Sequence, residues 1–341
     1  MRFVSYLAAL TLLTVLAAYW LAWHFGVQSP VVFSIGVVLV LATALAGAAM
    51  ALVGYVVRLA VQREPNPLRR IAELPVWSAE FLARRVLPLA LIFIFLGAFG
   101  TFKSLIPYAQ PFVWDATFSN MDRLIFGTDP WRLTHALIGP RGTRFVDIVY
   151  GFWFPIWTVA LIYFACFADE RAQRRFIVAF CAVWIIEGVV LATIFSSVGP
   201  CYLNLIHSPY ASRYSGLFPL DAPLATAAQA MLEASYRSAN IGAFEGISAM
   251  PSLHVGVAFL LVLASRGWWR VASSLFCAVI FVGSVHLGWH YASDGIVAAM
   301  FTALCWQFAR RIYPEPARAE EKYQPSVSAD WPAAINDAAG G

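Results

Sequence analysis

The chain has 341 residues, of which 60% are hydrophobic and 12% charged, with mean hydropathy +0.70 and formal net charge +4. Soluble domains run near half apolar and about a quarter charged. The excess here excludes an ordinary soluble core and specifies an all-α protein that crosses a membrane several times. Basic residues are scattered over short loops rather than gathered on a face, which excludes nucleic-acid binding.

A bilayer core of about 30 Å takes roughly 20 apolar helical residues. Eight stretches qualify in chain order: 4–24, 31–57, 86–106, 145–167, 176–198, 251–265, 270–290 and 292–312. The first is long, lacks a clear small-residue cleavage site and is followed at once by the second, so it reads as an anchor rather than a signal peptide. The sixth is short. Four organisational segments follow: an N-terminal hairpin over 1–60, a basic loop over 61–85, a six-helix bundle over 86–313 and a polar, Ala- and Pro-rich tail over 314–341. No internal repeat is found.

Lysine and arginine set the orientation. Arg58, Arg63, Arg69, Arg70, Arg84 and Arg85 precede the third span, DERAQRR follows the fourth, SRGWWR follows the sixth, and Arg310, Arg311 and Arg318 follow the eighth. Eight spans put all four groups on one side, which is then cytoplasmic together with both termini. The other side receives the 107–144 and 199–250 loops and the 286–294 junction. The composition and topology are those of a bacterial inner-membrane protein with that face in the periplasm. Segment 107–144 mixes Trp, Phe and Leu with charge, as an interfacial stretch does. Segment 222–239 is rich in helix formers and predicts a helix over the mouth of the bundle.

Chemistry concentrates in two stretches, SAMPSLHVG (248–256) and HLGWHYASD (286–294). Spans six and seven form a hairpin, so His254 and His290, 36 residues apart, return to one membrane face. Residues four apart share a helical face. With His290 and Asp294 in one helical turn, the carboxylate accepts from one ring nitrogen and raises the basicity of the other. That is what a nucleophilic histidine needs, and His254 is placed to serve as general acid. A rival reading remains open: His286, His290 and Asp294 at i, i+4, i+8, with His254, also suit a zinc ion. A proton-relaying transporter is a third reading, but it expects inverted repeats.

P-S-x-H followed by H-x-x-x-D resembles the type-2 phosphatidic acid phosphatase superfamily. The resemblance implies an all-α catalytic bundle and phosphoryl transfer without a metal or other cofactor. It places the general acid on His254, the phosphohistidine on His290 and the orienting carboxylate on Asp294. Two departures matter. The cationic K-x6-R-P motif is absent, and Gly283-Ser284 stands where the phosphatases have Ser-Arg. In both respects the chain is more similar to the inositolphosphotransferase (aureobasidin-resistance) branch. That branch has an aromatic after the nucleophile, like Tyr291, and a Pro-aromatic element like VGPCYLN; FKSLIP and DRLIFGTDPW resemble its upstream region. The likeness is closest over 245–300, extends over 100–205 and leaves out the first two spans. It implies a lipid phosphate or phospholipid substrate, and a lipid alcohol such as ceramide or diacylglycerol, or water, as acceptor.

With the family's cations missing, the phosphate holder must be sought elsewhere. Lys103, the only lysine before the tail, and Arg237 rank first, followed by Arg213 and by Tyr202 as a hydrogen-bond donor; Ser252, Tyr291 and His286 are further candidates around the site. His24, His135 and His207 read as structural or solvated. Glu187, inside span five, should be paired, either for function or as a protonated carboxyl bonded to a neighbouring helix. The five cysteines contain no CxxC pair and imply neither a disulfide framework nor a zinc knuckle. Cys201, alone in a loop, is expected to be a free thiol.

Overall fold

The structure is a computed structural model that describes residues 2–27, 52–72, 78–218, 220–238 and 246–315. Within these residues the protein is helical, without strands. The order is α1 (Arg2–His24), α2 (Leu52–Val61), α3 (Pro67–Ala72), α4 (Ala79–Ala109), α5 (Asp115–Phe126), α6 (Pro130–Leu137), α7 (Pro140–Cys166), α8 (Glu170–Ile194), α9 (Pro223–Ser238), α10 (Leu253–Ala264), α11 (Trp268–His286) and α12 (Ala292–Ile312). Six of these are long and apolar enough to cross a membrane: α1, α4, α7, α8, α11 and α12. They coincide with the first, third, fourth, fifth, seventh and eighth predicted spans. The second predicted span, 31–57, lies mostly outside the described residues, as does most of the 314–341 tail.

Local chemistry sets several boundaries. Asp169 caps α8, accepting from the backbone N–H of Arg171 and Ala172. Gly127, at φ 73°, ends α5 in the left-handed region that favours glycine. Prolines open α6, α7 and α9, where a missing N–H costs nothing. Helix α9 confirms the helix expected over 222–239, and Asp147 of α7 accepts from its first two amides, Leu224 and Ala225, at 3.0 and 2.8 Å.

The sixth predicted span is α10, only 12 residues, or about 18 Å at about 1.5 Å per residue. None of its residues is exposed, and it packs on α7, α8, α11 and α12. It cannot cross a bilayer core alone. The chain before it continues as non-helical backbone inside the protein, which is tolerated at membrane depth where it lines a cavity. Helix α1 leans on α4, with Thr11 donating to the Leu91 carbonyl, and most of its surface remains open.

The arginine-bearing ends gather at one end of the bundle. Arg85 donates to the Ala168 carbonyl, Arg175 to the Tyr313 carbonyl and to Glu315, and Arg266 pairs with the same Glu315. The α10–α11 turn is there too, so the start of α10 and the end of α11 lie at the opposite end.

Asp147→Ala removes two charge-assisted caps from α9. It is expected to cost about 1–2 kcal/mol, read as a lower Tm in detergent and faster amide exchange confined to α9.

Candidate active site

Three non-helical segments meet at the end of the bundle opposite Arg85, Arg175 and Arg266: 196–199 after α8, 246–252 before α10, and 287–291 between α11 and α12. Backbone hydrogen bonds lace them together. Ala249 N–H donates to Ser197 O at 2.9 Å, Cys201 N–H to Gly288 O at 2.9 Å, and Ser252 N–H to Asp294 O at 3.2 Å. Gly199, at φ 85°, packs so tightly on the Trp289 carbonyl that a Cβ would overlap it.

These segments and residues of α4, α7, α8, α9 and α10 line a partly open cavity of about 120 Å³. His254, His290, Lys103 and Tyr202 line it, with an aromatic wall that includes Trp153, Trp184 and Trp289. The rings of His254 and His290 face each other with centroids 6.2 Å apart. His254, at the first turn of α10, is stacked on Tyr150 at 4.8 Å and lies 4.1 Å from the Trp153 ring. These rings fix its orientation without occupying its nitrogens.

His290 is tied down differently. Its Nδ1 lies 2.8 Å from the Ala249 carbonyl and 3.3 Å from Asp294 Oδ2. A carbonyl only accepts, so Nδ1 carries the hydrogen and Nε2 keeps its lone pair. Burial first, and then the nearby Lys103 ammonium, lower the His290 pKa to about 3. The imidazole is therefore a neutral base with its free nitrogen unprotonated.

The expected helical stripe is corrected here. His286 ends α11, and His290 lies in the turn before α12, so the two do not share one helix with Asp294. Asp294 stands in the first turn of α12 and reaches back to Tyr291 N–H at 3.0 Å as well as to His290. His286 is occupied elsewhere: Nδ1 meets Thr134 Oγ1 at 3.2 Å and Nε2 meets Thr143 Oγ1 at 3.0 Å. His135, its ring 4.6 Å away, donates to the His286 carbonyl. Among the described residues no cluster of three or more His, Cys, Asp or Glu is arranged to hold a metal ion.

The other candidates divide. Lys103 Nζ donates to the Ser248 carbonyl at 3.3 Å from the cavity wall. Tyr202 spends its hydroxyl hydrogen on the Gln229 carbonyl. Ser252 and Tyr291 are buried behind the cavity, and Tyr291 donates to Asp115 Oδ1 at 3.1 Å. The structure does not bring Arg213 or Arg237 to the cavity. Arg213 is held by Asp129 at 3.0 Å and by Ser119 and Asn120. Arg237 is exposed and pairs with Glu233, one turn back on α9.

Two residues that support the site escaped the sequence reading. Asp115 and Asp122 lie seven residues apart on the buried face of α5. Asp115 accepts from Val198 N–H, Gly199 N–H and the Tyr291 hydroxyl. Asp122 accepts from Ala292 and Ser293 N–H at 2.7 and 2.9 Å, capping α12. Burial raises both carboxyls above the usual range, and these donors oppose the shift. The signal was present: aspartates at i and i+7 in an amphipathic segment point to one helix face, and to partners for both if that face is buried.

Gly199→Ala is expected to strain both the left-handed backbone and the Trp289 contact, on the order of 2 kcal/mol or more. Gly139→Ala, where an added Cβ meets nothing within contact distance, should lose only the preference for glycine over alanine at the N-cap of α7, at most about 1 kcal/mol. Thermal unfolding of the two variants beside wild type checks both outcomes.

No curated protein and no solved structure matches the chain. A family model does, over residues 116–308, more than half of the chain, and its description is the PAP2 superfamily. The match spans the segments that carry His254, His290 and Asp294. The protein is an all-helical integral membrane member of the PAP2 superfamily, whose chemistry is phosphatase or phosphotransferase action on lipid phosphates.

Proposed function

We propose that the chain transfers a phosphoryl or phosphodiester group from a membrane lipid through a phosphohistidine on His290, as an inositolphosphotransferase-like enzyme. The observation that supports it most is the His290 ring itself. Its Nδ1–H is held by the Ala249 carbonyl and Asp294, and its Nε2 is left free across one cavity from His254. The catalytic bundle is 86–313, with the N-terminal hairpin as an addition to it.

Nε2 of His290 attacks phosphorus, forming a P–N bond as the P–O bond to the leaving group breaks. His254 gives its proton to the departing oxygen. The acceptor hydroxyl then attacks phosphorus, passes its proton to His254, and the P–N bond breaks. Asp294 and the Ala249 carbonyl hold the Nδ1 hydrogen throughout and offset the charge that develops on the ring. Lys103 neutralises the phosphate in place of the arginines that this chain lacks. The substrate's tails stay in the bilayer, on the face opposite the arginine-rich ends. By the charge rule that face is the periplasmic side of an inner membrane.

Tyr291 and the VGPCYLN loop, joined here through Asp115, resemble the inositolphosphotransferase branch, and that likeness is what supports a lipid alcohol as the acceptor. A second reading, hydrolysis of a lipid phosphate or diphosphate, is favoured by the cavity. At about 120 Å³ with largely aromatic walls, it offers few partners to a polyhydroxylated head group.

Purified protein given a panel of lipid phosphates and phospholipids, with and without ceramide or diacylglycerol, separates the two. A new lipid product that needs the acceptor marks transfer; phosphate release without it marks hydrolysis. His290→Ala is expected to abolish either activity, and His254→Ala and Asp294→Asn to cost about 10²-fold or more. Activity that survives His290→Ala overturns the phosphohistidine, and loss on chelation favours a metal.

The pH profile supplies a further check. A nucleophilic His290 must be neutral, and burial with Lys103 keeps it so well below pH 6.5. Lys103→Met removes the opposing charge and so raises the His290 pKa. The acid limb of kcat/KM should move to higher pH, together with a higher KM.

A further inference from the structure

Glu187 is buried in α8 one turn after the cavity-lining Trp184, at the start of the π-helical turn Ile186–Leu191. The mechanism proposed above does not use it. A carboxyl at that depth must be neutral or fully partnered, and single π turns in α-helices often mark functional positions.

Its surroundings decide between the two. Glu187 Oε1 lies 2.7 Å from Thr302 Oγ1 of α12, and the same hydroxyl lies 3.2 Å from the Gly256 carbonyl of α10. A hydroxyl has one hydrogen, and a carbonyl can only accept. Short of sharing one hydrogen between two acceptors, which weakens both bonds, two full hydrogen bonds form when Thr302 donates to Gly256 and the carboxyl donates to Thr302. Glu187 Oε2 is buried without a partner among the described residues, against Gly256, where a Cβ would overlap it. A charged oxygen left there would be costly; the carbonyl oxygen of a neutral acid much less so.

We propose that Glu187 is a protonated acid that donates through Thr302 to the Gly256 carbonyl, and that this chain of bonds positions His254 against His290 and Asp294. Gly256 is two residues beyond His254 on α10, and Thr302 is two turns beyond Asp294 on α12. The knot therefore joins the helix of the general acid to the helix of the orienting carboxylate, with α8 as the third member. Gly256 is glycine because the acid occupies the space of its side chain. Glu187 is a positioning residue, and its catalytic effect rests on the phosphohistidine reading; its protonation and its bonds do not.

Full-length protein in detergent or nanodiscs tests the two parts separately. Infrared spectra of wild type minus Glu187→Gln should show loss of one protonated-carboxyl stretch; loss of a carboxylate band instead overturns the proposal, whatever the enzyme's reaction. A glutamine amide can donate to Thr302 as the acid does, so Glu187→Gln should keep kcat within about twofold. Glu187→Leu and Thr302→Val break the chain of bonds and should each lower kcat about tenfold to a hundredfold with KM little changed, as expected for misplaced groups. Thr302→Val also guards against a Leu variant that fails to fold. A glutamine variant as impaired as leucine, or a Thr302→Val enzyme with wild-type kcat, overturns the positioning role. If His290→Ala retains activity, the phosphohistidine reading fails while the infrared result stands.

Discussion

Two carboxylates on one face of α5 hold the site together. Asp115 gathers the loop after α8 and the Tyr291 hydroxyl; Asp122 caps α12. Non-helical backbone in a membrane protein must find partners within the protein, because lipid supplies none. Three such segments converge here, and side-chain carboxylates satisfy amides that no helix can. The cost of burying each charge is offset by two or three donors, an arrangement that also fixes direction. Without these bonds the turn that carries His290 would lose its tie to the loop after α8, and α12 would lose its cap.

The short α10 is the second constraint. A helix long enough to cross the bilayer would place His254 near the membrane surface. Its 12 residues instead start His254 inside the bundle, beside Trp153 and Tyr150 and on one cavity with Leu232 of α9. The extended 246–252 stretch then supplies what a helix would hide, a free carbonyl at Ala249 to orient the His290 ring. The same burial that enables this geometry keeps His290 neutral, which suits a nucleophile. Deeper in the bundle, the contact of Glu187 with Thr302 and Gly256 ties α8, α10 and α12 beneath the cavity.

Much of this was legible in the amino-acid order. Hydropathy located six of the long helices, because a bilayer demands a length and polarity that few other folds share. The pairing of P-S-L-H with H-x-x-x-D pointed to His254, His290 and Asp294, since a hairpin of two spans returns the chain to one face. Arg213 and Arg237 show where such reading stops. Both are cations in the right loop, yet Asp129 and Glu233 hold them; the Glu233–Arg237 spacing of four is readable on a helix, whereas the Arg213–Asp129 pairing, 84 residues apart, leaves no local periodic trace. The imagined stripe through His286 failed for a related reason: Gly288, at φ 77°, turns the chain between two helices, so spacing by fours lost its helical meaning.

The sequence by itself determined that the protein is helical and membrane-embedded, that four arginine clusters share one end, and that two histidines and an aspartate are the candidates for its chemistry. These properties depend on composition and on separations within one or two elements. Only the tertiary structure decided which nitrogen of His290 is free, that Lys103 rather than an arginine reaches the cavity, that α5 supplies the supporting carboxylates, and that Glu187 joins three helices. Each of those depends on atoms brought together from distant parts of the chain. A carbonyl at 249, a carboxyl at 115 or a hydroxyl at 302 acquires a partner only when the helices pack, and packing geometry is not written in any local pattern.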